Sequence, residues 1–320
     1  MLAASVWMAL ASRCAAGART TKPQPRIGYL TSQLIDPYFE SFRQGLGELG
    51  YVDGKNVSID QLNMEGRLDQ AERLVLELAG RKPNVIVLPN VASMNAARKL
   101  GLPLPFVVVS SIDPVQASFA ASLSRPGGNF TGIANLQRDL SAKRLEVVRD
   151  LLPRISRLAI LWDANGPGPK VAAAEYEAAA QRLNWRFQSL PIRDPKPDFE
   201  GAFQEAVAKK ADAIVIVANP LTAAHRGSIA ALATRYKVPL IGEHEYWANS
   251  SVLFTFGANL PDIGRRMAYL VHRILQGAKP GDLPFEQPTK FDLIINMKTA
   301  KALGITVPQS ILVRADRVIE

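Results

Sequence analysis

The sequence predicts an α/β protein of two doubly wound parallel-sheet lobes joined by a multi-strand hinge. Three observations carry that prediction. From Arg26 onward, short β-branched runs alternate with stretches of helical periodicity, the pattern of a parallel sheet with helices on both faces. The alternation runs to about residue 130 and then starts again, so the unit is doubled. A chain of 320 residues also exceeds what one compact core usually holds, which makes two domains the natural division.

The elements follow in order. Residues 27–30 open as a strand; after a polar loop, Phe39, Phe42, Leu46 and Leu49 recur at helical spacing, and Gly50 caps that helix. Runs over 57–61, 85–88 and 106–109 read as strands, separated by helices over 68–79 and 93–100. Pro126 with Gly127 and Gly128 stops regular structure before 131–134 continues extended, which marks the first hinge segment. The second series has strands over 158–162, 187–190, 213–217, 240–241 and 252–256, with helices over 170–183, 199–209 and 228–236. A helix over 261–276, with Ile263, Met267, Leu270, Val271 and Ile274 on one side, comes after the second series is complete and is expected to pack back on the first. A last strand, 291–295, follows a Gly- and Pro-rich stretch. Three crossings result: lobe 1 comprises 26–132 plus 258–282, and lobe 2 comprises 133–257 plus 283–320.

Residues 1–25 fall outside both lobes and read as a signal peptide and linker. The segment is rich in Ala, Leu, Val, Trp and Met, ends in Ala15-Ala16-Gly17-Ala18, and turns polar at Lys22-Pro23. Cleavage is expected near Ala18, although no basic residue precedes the apolar stretch. Arg13 occupies the place where a lipoprotein needs a small residue before Cys14, which argues against a lipid anchor. Cys14 is the only cysteine, so the folded body has neither a disulfide nor a thiolate metal site. The formal charge of +9 arises from Lys and Arg scattered among acids rather than run together, which argues against a nucleic-acid partner.

Ligands of open α/β sheets sit beyond the carboxyl ends of the strands, so the loops after each strand supply the candidate contacts. These are Ser32, Asp36, Tyr38, Asn90, Ala92, Ser93 and Asp113 in the first series, and Asp163, Asn165, Asn219, His244, Glu245 and Trp247 in the second. Polar side chains there offer hydrogen bonds, while Tyr38, Trp247 and nearby Trp162 offer apolar walls. Several positions have two readings. Asp113, before Pro114, either accepts from a ligand ammonium or caps a helix starting near Val115; Ser93 either helps a helix N-terminus hold a carboxylate or only caps it. Asp163 and Asn165 form a turn or touch the ligand, and His244 is a contact or a rim residue. Together these groups suit a small zwitterion or carboxylate with an apolar portion.

Enzymatic and cofactor signals are weak. Gly45-Leu46-Gly47-Glu48-Leu49-Gly50 matches a dinucleotide fingerprint, but it ends a helix where the fingerprint must open one. His225, His244 and His272 have no metal-ligand spacing, and no nucleophile elbow is present. No cofactor and no catalysis are expected.

Several long segments resemble a known family: residues 42–57, which include Gly45-Leu46-Gly47-Glu48-Leu49-Gly50-Tyr51; Asp113-Pro114-Val115; 122–132, around Arg125-Pro126-Gly127-Gly128-Asn129; and above all 277–291, with Lys279-Pro280-Gly281-Asp282-Leu283-Pro284. In these the chain is similar, over about residues 26–320, to the ABC-transporter substrate-binding family that includes the tryptophan- and tyrosine-binding lipoproteins. The resemblance implies a periplasmic-binding-protein type I fold. It further implies a periplasmic, monomeric solute-binding subunit of an ABC importer, which closes its lobes on a small amino-acid-like or carboxylate solute and docks onto an inner-membrane permease. The chain departs from the family pattern in Gln116-Ala117-Ser118 and in 250–257, both near the expected cleft. A secreted protein feeding a receptor fits the same residues, whereas a doubly wound enzyme or a regulator's sensor domain would need a catalytic cluster or a helix-turn-helix segment.

Overall fold

The computed structural model describes residues 24–31, 36–136, 138–193 and 195–320. The signal-peptide expectation, apart from its last two residues, and the candidate contact Ser32 lie outside the described residues.

The first half runs β1 (Arg26–Thr31), α1 (Phe39–Glu48), β2 (Ser58–Asn63), α2 (Ala71–Gly80), β3 (Val85–Leu88), α3 (Val91–Lys99), β4 (Phe106–Ser110) and β5 (Phe130–Ala134). Its five strands form a parallel sheet in the order β2-β1-β3-β4-β5. Chain direction across the sheet reverses between β1 and β3, and the loops after such a switch point enclose a crevice. β3 and β4 are buried throughout, which is why they read as unbroken apolar runs rather than alternating ones. Successive residues still face opposite layers. Val85, Val87, Val107 and Val109 join one core, and Ile86, Leu88, Phe106 and Val108 the other.

The second half contains α4 (Arg138–Leu151), β6 (Arg157–Asp163), α5 (Pro167–Arg182), β7 (Arg186–Ile192), α6 (Phe199–Ala208), β8 (Ala213–Ile216), α7 (Pro220–Ala224), α8 (Arg226–Tyr236), β9 (Leu240–Gly242) and β10 (Phe254–Ala258). α9 (Leu260–Leu275) follows, then β11 (Phe291–Asn296), α10 (Met297–Ala302), α11 (Gln309–Arg314) and β12 (Arg317–Ile319). The seven-stranded sheet has the order β12-β11-β10-β9-β8-β6-β7. It is parallel except for the β10–β11 pair, which is antiparallel because β11 re-enters from the other half.

α9 does return to the first half. Ile263, Met267, Leu270, Val271 and Ile274 join the core that holds Ile27, Tyr29, Phe42 and Leu46. The α1–α9 approach explains the glycine motif: a Cβ on Gly45 would lie 3.0 Å from both the Ala268 Cβ and the Arg265 Cα, so this glycine permits close helix packing rather than phosphate binding. His272 also faces this junction, its Nδ1 3.0 Å from the Tyr51 hydroxyl. Residues 283–286 stay on the first sheet: the Thr131 hydroxyl donates to Leu283 O at 2.9 Å, and Ile133 bridges to Glu286. The chain therefore passes between the sheets after β5, after β10 and before β11.

The structure departs from the sequence reading in places with physical causes. The sequence pattern does not mark α4, α7, α10, α11 and β12: α4 sets Leu145, Val148 and Leu151 among many charged residues, and the others are short. The strand expected over 252–256 sits two residues later, because Val252 and Leu253 are buried before the pairing begins. No helix starts near Val115. Residues 114–118 form successive turns instead.

Candidate ligand-binding cleft

The carboxyl ends of β3, β4 and β5 face those of β6, β8 and β9, and their loops enclose a cavity of about 620 Å³. That lies within the size range of small-molecule sites, roughly 300–1,000 Å³. Tyr38, Asn90, Ala92, Asp113 and Asn135 line it from the first half; Asp163, Asn165, Asn219, Glu243, His244 and Tyr246 line it from the second.

On the first side the local folding is explicit. Asn90 caps α3, its Oδ1 accepting from Ser93 N at 2.9 Å, while Ser93 is fully buried behind the wall and donates from Oγ to Asn90 O. Asp36 does not line the cavity. Its Oδ1 accepts from the amides of Tyr38 and Phe39 at 2.7 and 3.0 Å and from the Tyr29 hydroxyl, so it fixes the entry of α1 and thereby the position of Tyr38. Burial raises the Asp36 carboxyl above its ordinary range. Tyr38 shares the first-side wall with Asn135, and burial pushes its phenol well above the usual pKa. Asp113 lines the cavity, but its Oδ1 accepts from Val115 N at 2.8 Å and Gln116 N at 3.2 Å, an Asx turn in place of the expected helix cap. Asp113→Ala should therefore lower stability by about 1 kcal/mol and leave the affinity of the folded protein nearly unchanged; calorimetric titration beside a thermal melt separates the two effects.

The second side is built on turns and a buried ion pair. Asp163 Oδ1 accepts from Asn165 N at 2.9 Å, and the Asn219 amide is spent on its own loop, accepting from Thr222 N and donating to Val217 O, both at 3.0 Å. Beneath the wall, Arg144 of α4 is fully buried and donates from Nη1 to Glu243 Oε1 at 3.0 Å and to the Tyr176 hydroxyl at 2.8 Å, while its Nε donates to Phe256 O. Tyr176 of α5 donates to the same Glu243 oxygen at 2.7 Å, and Glu243 Oε2 accepts from Ala218 N at 2.7 Å. One carboxylate thus ties the loops after β8 and β9 to two helices.

Two expected contacts face elsewhere. Trp247 is fully buried in the second-half core under Gly242, and its neighbour Tyr246 lines the cavity instead, because the short 3-10 turn at Glu245–Trp247 reverses which aromatic faces out. Glu245 is half-buried away from the cavity; burial, and next the charge of Asp292, raise its carboxyl. Trp162 donates to Ser189 Oγ at 2.8 Å, on its own sheet.

His244 is 8% exposed, and its Nδ1 has no hydrogen-bond partner. Burial, with a further push from the Arg144 charge, lowers its pKa to about 3. The unfolded chain protonates this histidine near its ordinary value of about 6.5, so stability should fall as pH drops from there toward 3, by up to about 1.4 kcal/mol per pH unit. His244→Asn should remove that slope in urea melts at pH 7, 5.5 and 4.5.

Asn135, Glu243, Tyr246, Arg144 and Tyr176 join the site without being among the residues the sequence marks. Asn135 and Glu243 immediately follow β5 and β9, so the rule that selected Asn90 also reaches them; nothing in the sequence distinguishes Arg144 from its charged neighbours.

Two sheets, three chain passages and a cavity between the strand ends define a two-lobed solute-binding architecture of the periplasmic-binding-protein type I class. The family model described as ABC transporter substrate binding protein matches residues 32–319, and the chain belongs to that family. A tyrosine-binding protein of Clostridioides difficile (strain R20291) is 26% identical over 291 residues, 89% of this chain and 82% of that protein. Among solved structures, the ABC domain from Streptococcus pneumoniae in complex with L-Trp superposes with a TM-score of 0.85 at 23% identity, covering 92% of this chain and 100% of that one. A conserved domain protein from Vibrio cholerae gives 0.83 at 25% identity, covering 92% and 99%.

Proposed function

We propose that this protein is the periplasmic solute-binding subunit of an ABC importer. It captures a small polar solute of amino-acid size between its lobes, closes about the three chain passages, and as a monomer presents the closed form to an inner-membrane permease. No bond is made or broken. The observation that carries this reading is the cavity between the two sets of strand ends, lined by both halves, so that closure buries the solute from two sides. The contacts are Tyr38, Asn90 and Ala92 on one lobe and Asp163, Asn165, Asn219 and His244 on the other, with Asp113 shaping the wall through its turn. Tyr246 and Asn135 join them on the strength of their place in the cavity wall. The tyrosine-binding relative and the Trp-bound structure support a solute with an apolar body. The N-terminal signal peptide directs export and is cleaved near Ala18.

A thermal-shift screen of the purified protein over amino acids, carboxylates, nucleobases and sugars tests the reading. A bound solute at a hundred times its dissociation constant should stabilise the fold by about 2.7 kcal/mol. Consumption of a metabolite with no stabilising solute would overturn it.

A further inference from the structure

Within the solute-binding reading, His244 takes a definite chemical part. Its ring lines the cavity and is 8% exposed, and among the described residues neither ring nitrogen has a hydrogen-bond partner in the protein. The two nitrogens have different surroundings. Nδ1 is the buried one: it packs on β10, where a Cβ built on Gly257 would stand 3.0 Å from it. Nε2 is not buried in this way, so it is the nitrogen that the ring turns to the cavity. The Tyr246 ring, 5.8 Å away between centres, flanks the imidazole.

Those surroundings decide which nitrogen carries the proton. Arg144 donates from Nε to Phe256 O, so a fully buried cation reaches β10 one residue from the place where Nδ1 packs. A cation there attracts a nitrogen lone pair and repels an N–H dipole. A buried N–H without an acceptor is also the rarer and costlier orphan. Both effects leave Nδ1 bare and put the proton on Nε2. Glu243 does not reverse the sign, because its two oxygens are engaged by Arg144, Tyr176 and the Ala218 amide.

We propose that His244 is the specificity-determining donor of the cleft: its Nε2–H meets a hydrogen-bond acceptor of the solute, and a solute that brings only donors to this point is rejected. A carboxylate, a carbonyl and a ring nitrogen share the acceptor chemistry. An ammonium at the same place sets N–H against N–H and leaves both without a partner. Burial, with the Arg144 charge second, keeps the imidazole neutral, so the second nitrogen does not become a donor as well.

The tautomer is read without any solute, from long-range proton–nitrogen correlation spectra of the histidine-labelled protein, with His244→Gln identifying the His244 signals. At pH of about 6.5, where an ordinary histidine is half protonated, the expected pattern is a bare Nδ1 and a protonated Nε2. A protonated Nδ1, alone or in an imidazolium, would overturn the proposal. The binding arm compares phenylpropionate and phenylpropionamide, which bring an acceptor, with phenylpropylamine, which brings none, beside L-tyrosine and L-tryptophan, by thermal shift and calorimetry. Stabilisation is expected from acceptor-bearing probes and not from the amine. For the tightest probe, His244→Leu and His244→Asn should each lower affinity roughly tenfold or more. His244→Gln, whose amide nitrogen reaches the place of Nε2, should recover most of that loss, a split that a packing role would not produce. Phenylpropylamine bound as tightly as the acid or amide, or one affinity shared by the native protein and the Leu and Asn variants, would overturn the proposal while leaving solute capture standing. Binding by none of these probes would overturn it too; the solute-binding reading falls with it only when the wider screen also finds no stabilising solute. The spectra decide the tautomer even where a variant fails to fold.

Discussion

Arg144→Met should lower the thermal midpoint by about 6–20 °C. Arg144 is fully buried, and its removal strands the Glu243 carboxylate, 2% exposed, without a counter-charge. Breaking one side of a buried pair typically costs about 3–5 kcal/mol, and each kcal/mol moves the midpoint of a body this size by about 2–4 °C. Most of that cost is the orphaned charge rather than the lost attraction. The double variant Arg144→Met/Glu243→Met should therefore recover part of the loss, although Ala218 N and Phe256 O remain without their partners. Calorimetric melts of the two single variants and the double form a cycle; a double variant no more stable than either single one would show that the network contributes packing instead of charge pairing. Solute stabilisation should also weaken in Arg144→Met, because the loops after β8 and β9 share the Glu243 anchor.

Gly257→Ala should be comparably damaging, with a loss of about 3 kcal/mol. A Cβ at Gly257 would fall inside the carbonyl oxygen of Glu243, which is backbone and cannot step aside, and 3.0 Å from His244 Nδ1. β10 would have to part from the loop after β9, moving Glu243 and His244 together. Gly47→Ala is the matched control: it lies inside α1 with nothing within 4 Å of its would-be Cβ, so it should stabilise the protein by up to about 1 kcal/mol. Equal midpoints for the two variants would mean that β10 and the loop after β9 leave room for a methyl group.

The fold was legible because the signals that produce it are local and repeated. β3 and β4 each carry a four-residue, β-branched-rich apolar run that suits a strand buried on both faces, and α9 carries its buried stripe at helical spacing. The return of α9 to the first half could also be inferred, since the second sheet was already complete. The cleft was only partly legible. Position after a strand identified Asn90, Asp113, Asp163, Asn219 and His244 as lining residues, yet it says nothing about which atoms are spent locally. Asp113 and Asn219 carry attractive chemistry in sequence and use much of it on turn and helix amides. Trp247 shows the converse difficulty: one residue of rotation in a 3-10 turn exchanges a core aromatic for a wall aromatic, and no pattern in Glu245-Tyr246-Trp247 fixes that choice.

The placement of α9 also bears on how the chain is made. The apolar face formed by Ile27, Tyr29, Phe42 and Leu46 is covered by a helix that begins only at Leu260. While the ribosome is still short of that point, the first half lacks one side of its core, so it cannot lock into a finished domain in the usual order of synthesis. Delayed closure of this kind leaves the apolar face of the first half open until α9 has been made. A chain ended at Ala258 should accordingly bind a hydrophobic dye and aggregate, whereas the full-length protein should do neither.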